Sequence, residues 1–160
     1  MEKMTNIFVY GTLKRGQPNH TVMTCYKHGK AVFKGMGKTV EKYPLVIAEE
    51  ANIPFLLNIP GTGRRIIGEI YSVDDSMLQF LDDFEGCPNW YQRTSQGIEI
   101  LEWDGTDDSP EERPAVKSII TCFLYSTTCY QPHWLQLPYH KCYDTFGNHG
   151  LPYLKHRDIN

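Results

Sequence analysis

The chain has 160 residues, 41 % hydrophobic and 22 % charged, with sixteen basic against nineteen acidic side chains for a net charge of −3. That length supports one domain, spanning residues 1–160, with its own core, and the charges are interspersed, so no basic stripe exists to displace counterions from a nucleic-acid backbone. The longest apolar runs are far too short for a membrane-spanning helix.

In chain order, Met1 to Asn6 carries no secretory signal, and Ile7 to Tyr10 reads as an apolar strand that breaks at Gly11 into a polar, basic stretch ending at Gly16. A strand that stops on glycine leaves the amides of Thr12 and Leu13 free to turn outward together, a cluster suited to a carboxylate or a developing oxyanion. Lys14 and Arg15 read as a solvated loop. Asn19 follows Gln17-Pro18 and is placed to cap a short helix through about Tyr26, closed by Gly29, with Val22 and Cys25 or Tyr26 inward. Val32 to Val40 is ambiguous, because Gly35 and Gly37 weaken a strand. Tyr43 to Ala48 and Ile53 to Ile59 are short apolar runs. The latter leads through Pro60-Gly61-Thr62-Gly63 into Arg65 to Val73, which predicts a hairpin between these two.

Asp74 to Pro88 gives the clearest helix. Asp74 or Asp75 caps it, Gly86 takes the C′ position and Pro88 stops it. Met77, Leu81 and Phe84 form an inward stripe flanked by Leu78 and Phe80, and Asp82 and Asp83 point to water. Steps of four from Met77 reach Leu81 and then Glu85, so this carboxylate lies along the apolar face. Burial, the negative end of the helix dipole and the neighbouring aspartates should all raise its pKa, which suits proton abstraction from an amine.

Ile98 to Trp103 alternates as a half-buried strand, and residues 104–114 form an acidic, mobile loop without catalytic residues. Val116 to Tyr125 is a strand whose apolar centre predicts burial on both faces. Beyond Thr127 the chain is aromatic and proline-rich, with a single turn near Trp134, and is expected to cover a barrel or sheet edge. His133, His140, His149, His156 and Cys142 match no zinc spacing. Cys25, Cys87, Cys122, Cys129 and Cys142 are an odd, irregular set that fits reduced thiols in the cytoplasm. The Asn19-His20-Thr21 sequon is then incidental. Six strands against two helices, without long crossovers, predict an α+β domain: a strongly curved sheet or small mixed β-barrel with a few flanking short helices.

Tyr10-Gly11-Thr12-Leu13 after a strand, with a helix ending Phe80-Leu81-Asp82-Asp83-Phe84-Glu85-Gly86, resembles the gamma-glutamyl cyclotransferase superfamily. The likeness takes in Val9 to His20, Tyr43 to Ala48, Asn52-Ile53-Pro54, Tyr91 to Thr94 and His149-Gly150, and so most of the chain. The resemblance implies a small barrel, no metal, no organic cofactor and a small γ-glutamyl substrate as partner, with nucleic acid and membrane excluded and a monomer favoured over an oligomer. It implies that a γ-glutamyl amine, such as γ-glutamyl-ε-lysine from transglutaminase cross-links, is converted to 5-oxoproline and free amine. It also implies that Tyr10, Gly11, Thr12 and Leu13 hold the glutamyl portion and that Glu85 is the catalytic acid/base. The chemistry is consistent: only a neutral α-amine attacks the δ-carbonyl, and an α-amino group with a pKa of about 8 needs a base. Tyr91 and Tyr125 are candidates for the pocket wall or ordinary core tyrosines. Cyclotransferases for γ-glutamyl-amino acids or glutathione, a non-catalytic carboxylate-binding module, and a cysteine hydrolase using Cys87 are the competing readings.

Overall fold

The computed structural model describes residues 4–17, 19–24, 27–48, 52–85, 91–103, 115–128 and 130–144. The expectations placed on Cys25, Tyr26, Gly86, Cys87, Pro88, residues 104–114, His149 and His156 lie outside the described residues.

Strands β1 (Thr5–Val9), β2 (Ala31–Tyr43), β5 (Arg64–Val73), β6 (Gln92–Trp103) and β7 (Ile119–Ser126) close into a barrel in the order β1-β5-β2-β6-β7. Four of its pairings are antiparallel, and β1 and β7 complete the ring in parallel at Ile7 and Phe123. The expected small mixed barrel is therefore the observed fold. Helix α1 (His20–Thr24) forms where expected among the described residues, and α2 (Asp75–Phe84) starts where expected, with the Asp74 carboxylate accepting from the Met77 amide at 2.8 Å.

The predicted hairpin is corrected. Strand β4 (Ile53–Leu56) pairs with β3 (Leu45–Ala48), in the register Leu45 opposite Leu56, whereas β5 lies between β1 and β2. The glycine-rich turn at residues 60–63 joins elements that do not pair with each other. The ambiguous stretch at Val32 to Val40 belongs to the longest strand of the barrel, at thirteen residues. Gly35 and Gly37 belong there for a packing reason. A Cβ on Gly35 would stand 2.1 Å from the Glu102 carbonyl oxygen, and one on Gly37 would stand 2.5 Å from Ile98 Cγ2. At both glycines β2 runs close against β6, and side chains there would hold the two strands apart.

Both faces of β1 are buried, which explains its unbroken apolar run. Phe8 and Tyr10 point into the barrel with Ile66, Ile70, Ile98 and Leu124. Ile7 and Val9 face outward, beneath Met77 and Leu81 of α2. Each of those two helix residues is fully buried and contributes roughly 1.5–3 kcal/mol. The expectation of two-sided burial holds for the second half of β7 but not for its approach, where Val116 and Ile119 are exposed.

The segment after β7 covers edges, as its composition suggested. Trp134, in a 3-10 turn at Pro132–Gln136, packs on Phe55 of β4, the ring centroids 4.5 Å apart. The His140 amide donates to the Leu45 carbonyl at 2.9 Å, and the Lys141 carbonyl accepts from the Ile67 amide at 2.7 Å. Main-chain groups of β3 and β5 that would otherwise face water are so paired.

Candidate active site

The turn after β1 is held on several sides. Lys14 N donates to the Gly11 carbonyl at 3.2 Å, and Asn19 N donates to the Thr12 carbonyl at 2.8 Å. The Asn19 side-chain amide donates to Thr12 Oγ1 at 2.9 Å, and His20 Nδ1 lies 3.0 Å from the Leu13 carbonyl. Buried Glu69, on β5, accepts from the Arg15 amide at 2.9 Å and from the Tyr71 hydroxyl at 3.0 Å. The acceptors of the turn are consumed, yet among the described residues the amides of Gly11, Thr12 and Leu13 donate to none of its hydrogen bonds. Those amides stand at a cavity of about 200 Å³ that the turn itself lines.

The reading of a solvated loop is corrected for Lys14, whereas Arg15 is exposed as expected. Lys14 is only 6 % exposed, and its ammonium donates to the Tyr143 carbonyl, with Cys142 Sγ at 3.5 Å. Arg15 pairs with Glu69 and places its guanidinium 3.8 Å over the Phe33 ring. Lys14→Met, which keeps the stem and removes the charge-assisted bond, is expected to lower stability by about 1.5–3 kcal/mol. A urea midpoint equal to that of the parent would show that the tie to Tyr143 contributes nothing.

Glu85 lines the same cavity, one residue past the last turn of α2, its amide donating to the Leu81 carbonyl at 2.9 Å. The four-residue step from Leu81 turns this side chain to the helix's inner side. It remains half-buried, and desolvation pushes its pKa from 4.5 to about 7. Burial is the cause, where the helix dipole and the aspartates were also expected to act. The Tyr10 phenol is raised well above its ordinary value, first by burial and then by the Glu85 charge, against a main-chain hydrogen bond from Leu56. The two side chains thus share one space.

Tyr10, Gly11, Thr12, Leu13 and Glu85, predicted from sequence, all line this cavity, and Tyr91 and Tyr125 complete its wall. Two corrections fall on the helix. Phe84 is 42 % exposed at the cavity mouth instead of inward. Asp82 does not point to water: its Oδ1 accepts from the Tyr125 hydroxyl at 2.7 Å and its Oδ2 pairs with Arg93 Nη1 at 2.6 Å. Asp83 alone behaves as expected, in an exposed bond from Gln79. Sequence reading also missed Asn19 and Pro54 as lining residues. Asn19 was assigned only to capping, although its place eight residues after Gly11 suits bridging back to the turn. Pro54 Cγ would lie 3.1 Å from a Cβ on Gly11, so a side chain there would crowd β4 at the cavity wall.

Among the described residues no three of His, Cys, Asp and Glu come together as metal ligands. The cavity is instead lined both by one proton acceptor, neutral or ionised near pH 7, and by a turn that carries a set of main-chain donors. That pairing can hold a negatively charged group and move a proton beside it.

A family model described as gamma-glutamyl cyclotransferase, AIG2-like, matches residues 7–144. A Xenopus laevis protein named gamma-glutamylaminecyclotransferase is 88 % identical over 137 residues, covering 86 % of this chain and 99 % of its own length. A Rattus norvegicus protein of the same name is 57 % identical, covering 94 % and 96 %. The crystal structure of an AIG2-like protein from Mus musculus superimposes with a TM-score of 0.88 at 52 % identity, covering 98 % of this chain and 99 % of that one.

Proposed function

The chain belongs to the gamma-glutamyl cyclotransferase, AIG2-like family, and from that premise we propose that it is a γ-glutamylamine cyclotransferase. Its reaction is the conversion of γ-glutamyl-ε-lysine to 5-oxoproline and lysine. The observation that carries this reading is a carboxyl pushed up to about 7 by burial in the cavity that the donor-bearing turn also lines.

The substrate's α-amine carries a proton to be removed, with a pKa of about 8, one unit from that of Glu85, so transfer between them is close to balanced. Glu85 takes that proton, and the amine nitrogen bonds to the δ-carbon. As the bond to the departing amine breaks, the same carboxyl returns the proton to it; the second proton that the attacking nitrogen sheds in becoming a lactam N–H follows by the same route, the amine leaves as an ammonium, and the enzyme ends as it began. The amides of Gly11, Thr12 and Leu13 take the substrate's negative charge. The attack is intramolecular, so the protein's main task is to hold the glutamyl chain curled. At about 200 Å³ the cavity is smaller than the ~300–1,000 Å³ of typical small-molecule pockets. It suits a glutamyl group whose amine substituent leaves through the mouth.

Side-by-side incubation with γ-glutamyl-ε-lysine, γ-glutamyl-alanine and glutathione tests the assignment. Release of 5-oxoproline is expected from the first in preference to the others. A module that only binds ligands would retain 5-oxoproline and consume none of the three.

The raised carboxyl also sets a pH dependence. The base form of Glu85 is the ionised one, so kcat/KM should fall as pH drops through about 7. An unperturbed glutamate would hold activity down to about pH 4.5. A flat profile between these limits contradicts the assigned base.

A further inference from the structure

The two halves of the site come from chain segments more than seventy residues apart, and one residue touches both. The main-chain carbonyl of Tyr125 accepts from the Tyr10 hydroxyl at 2.6 Å, at the end of the strand that leads into the turn. The Tyr125 hydroxyl donates to Asp82 Oδ1 at 2.7 Å. The other oxygen of Asp82 is held by Arg93 at 2.6 Å, and Arg93 stands directly opposite Tyr125 in the β6–β7 ladder. A single carboxylate therefore binds both members of one cross-strand pair. It sits three residues before Glu85, and residues so spaced on a helix are neighbours.

Resting on the function proposed above, we infer that Tyr125 and Asp82 are positioning residues, which set the spacing between Glu85 and the amide-bearing turn. Among the described residues, neither Asp82 nor Arg93 lines the cavity, so neither meets substrate there. They act through α2. The helix continues only to Phe84, and Glu85 rides on its last carbonyls. Without a tie to the barrel wall that end would be free to fray. Tyr125 supplies the tie on the same residue whose main chain fixes Tyr10, so a movement of one half is passed to the other. A proton acceptor works within about 3 Å of the nitrogen it serves, and a misplacement of about 1 Å costs up to about 10²-fold in rate.

Tyr125→Phe is the informative change. It keeps the ring on the cavity wall and the carbonyl that holds Tyr10, and removes the hydroxyl that donates to Asp82. Among the described residues it leaves in place the charges of Asp82 and Asp83 on the same helix and of Arg93 on β6, and the neutral Tyr10 phenol. The expected result is a fall in kcat of about 10- to 100-fold with KM changed by less than about threefold. Carbon NMR of labelled glutamate should at the same time show Glu85 titrating at a lower pH than in the parent protein, because a loosened helix end admits water. Asp82→Asn, which keeps an acceptor for the phenol, should retain more of kcat than Asp82→Ala. A Tyr125→Phe protein with parental kcat and an unmoved Glu85 titration overturns the inference, whatever its melting temperature. Should the parent protein consume no γ-glutamyl amine, the functional reading fails by itself, and the NMR titration still decides the positioning role.

Discussion

Glu85→Gln is expected to fold, to bind 5-oxoproline, and to release it from γ-glutamyl-ε-lysine about 10²- to 10⁴-fold more slowly than the parent. The amide has the shape of the carboxyl but cannot take a proton from an amine. The same change should raise thermal stability, and the sign can be worked out. In the folded chain the carboxyl titrates at about 7, and its ordinary value is 4.5. Between those pH values the folded state binds more proton than the unfolded one, so stability falls as pH rises through the interval. At pH 8 the parent has lost up to about 3 kcal/mol by keeping this charge half-buried, at 1.36 kcal/mol per unit. The variant carries no such penalty. It should melt several degrees higher than the parent at pH 8, about 2–4 °C per kcal/mol for a chain of this size, and the gap should close near pH 4. Slow turnover without any pH-dependent gain in melting temperature would mean that Glu85 acts from a solvated position.

Gly35→Ala is expected to be the most damaging single methyl in the barrel. The added carbon would stand 2.1 Å from the Glu102 carbonyl oxygen and 3.0 Å from Trp103 Cα, both main-chain atoms of β6. No side-chain rotation relieves that contact, so β2 and β6 must separate where they pair. A cost of about 3–5 kcal/mol follows, beyond ordinary overpacking, which corresponds to a drop of about 10 °C in melting temperature. Gly16→Ala is the contrasting control: nothing lies within 4 Å of its added carbon, and the strain is confined to a φ of +78°. Equal melting temperatures for the two variants would show that β6 yields freely.

The parts of this molecule that sequence made legible are those governed by neighbours along the chain. The four-residue rhythm Met77, Leu81, Glu85 is a property of one helix, and it places the acid correctly. The halt of β1 at Gly11 is equally local. What stayed hidden depends on partners distant in sequence. Ile53 to Ile59 was assigned to the nearest downstream strand because residues 60–63 look like a hairpin turn, but β3 lies on the other side in sequence and takes the pairing. Gly35 and Gly37 reduce strand propensity in isolation and are required by the approach of β6. Asp82 looks solvent-bound by charge alone, and only the β6–β7 register, which sets Arg93 beside Tyr125, reveals why it turns inward. Lys14 is buried because the Tyr143 carbonyl, on the last described segment, waits for it.

The ring is completed by its first and last strands, β1 and β7, through the parallel contact of Ile7 with Phe123. During synthesis, the opening segment with its donor-rich turn therefore leaves the ribosome long before the strand that must seat it. The nascent polypeptide has nothing to catalyse with until that final strand emerges and the ends of the circuit meet. Contacts so far apart along a chain also form slowly, on the millisecond-to-second scale typical of barrels. Recovery of turnover after dilution from denaturant should accordingly trail the appearance of helical signal.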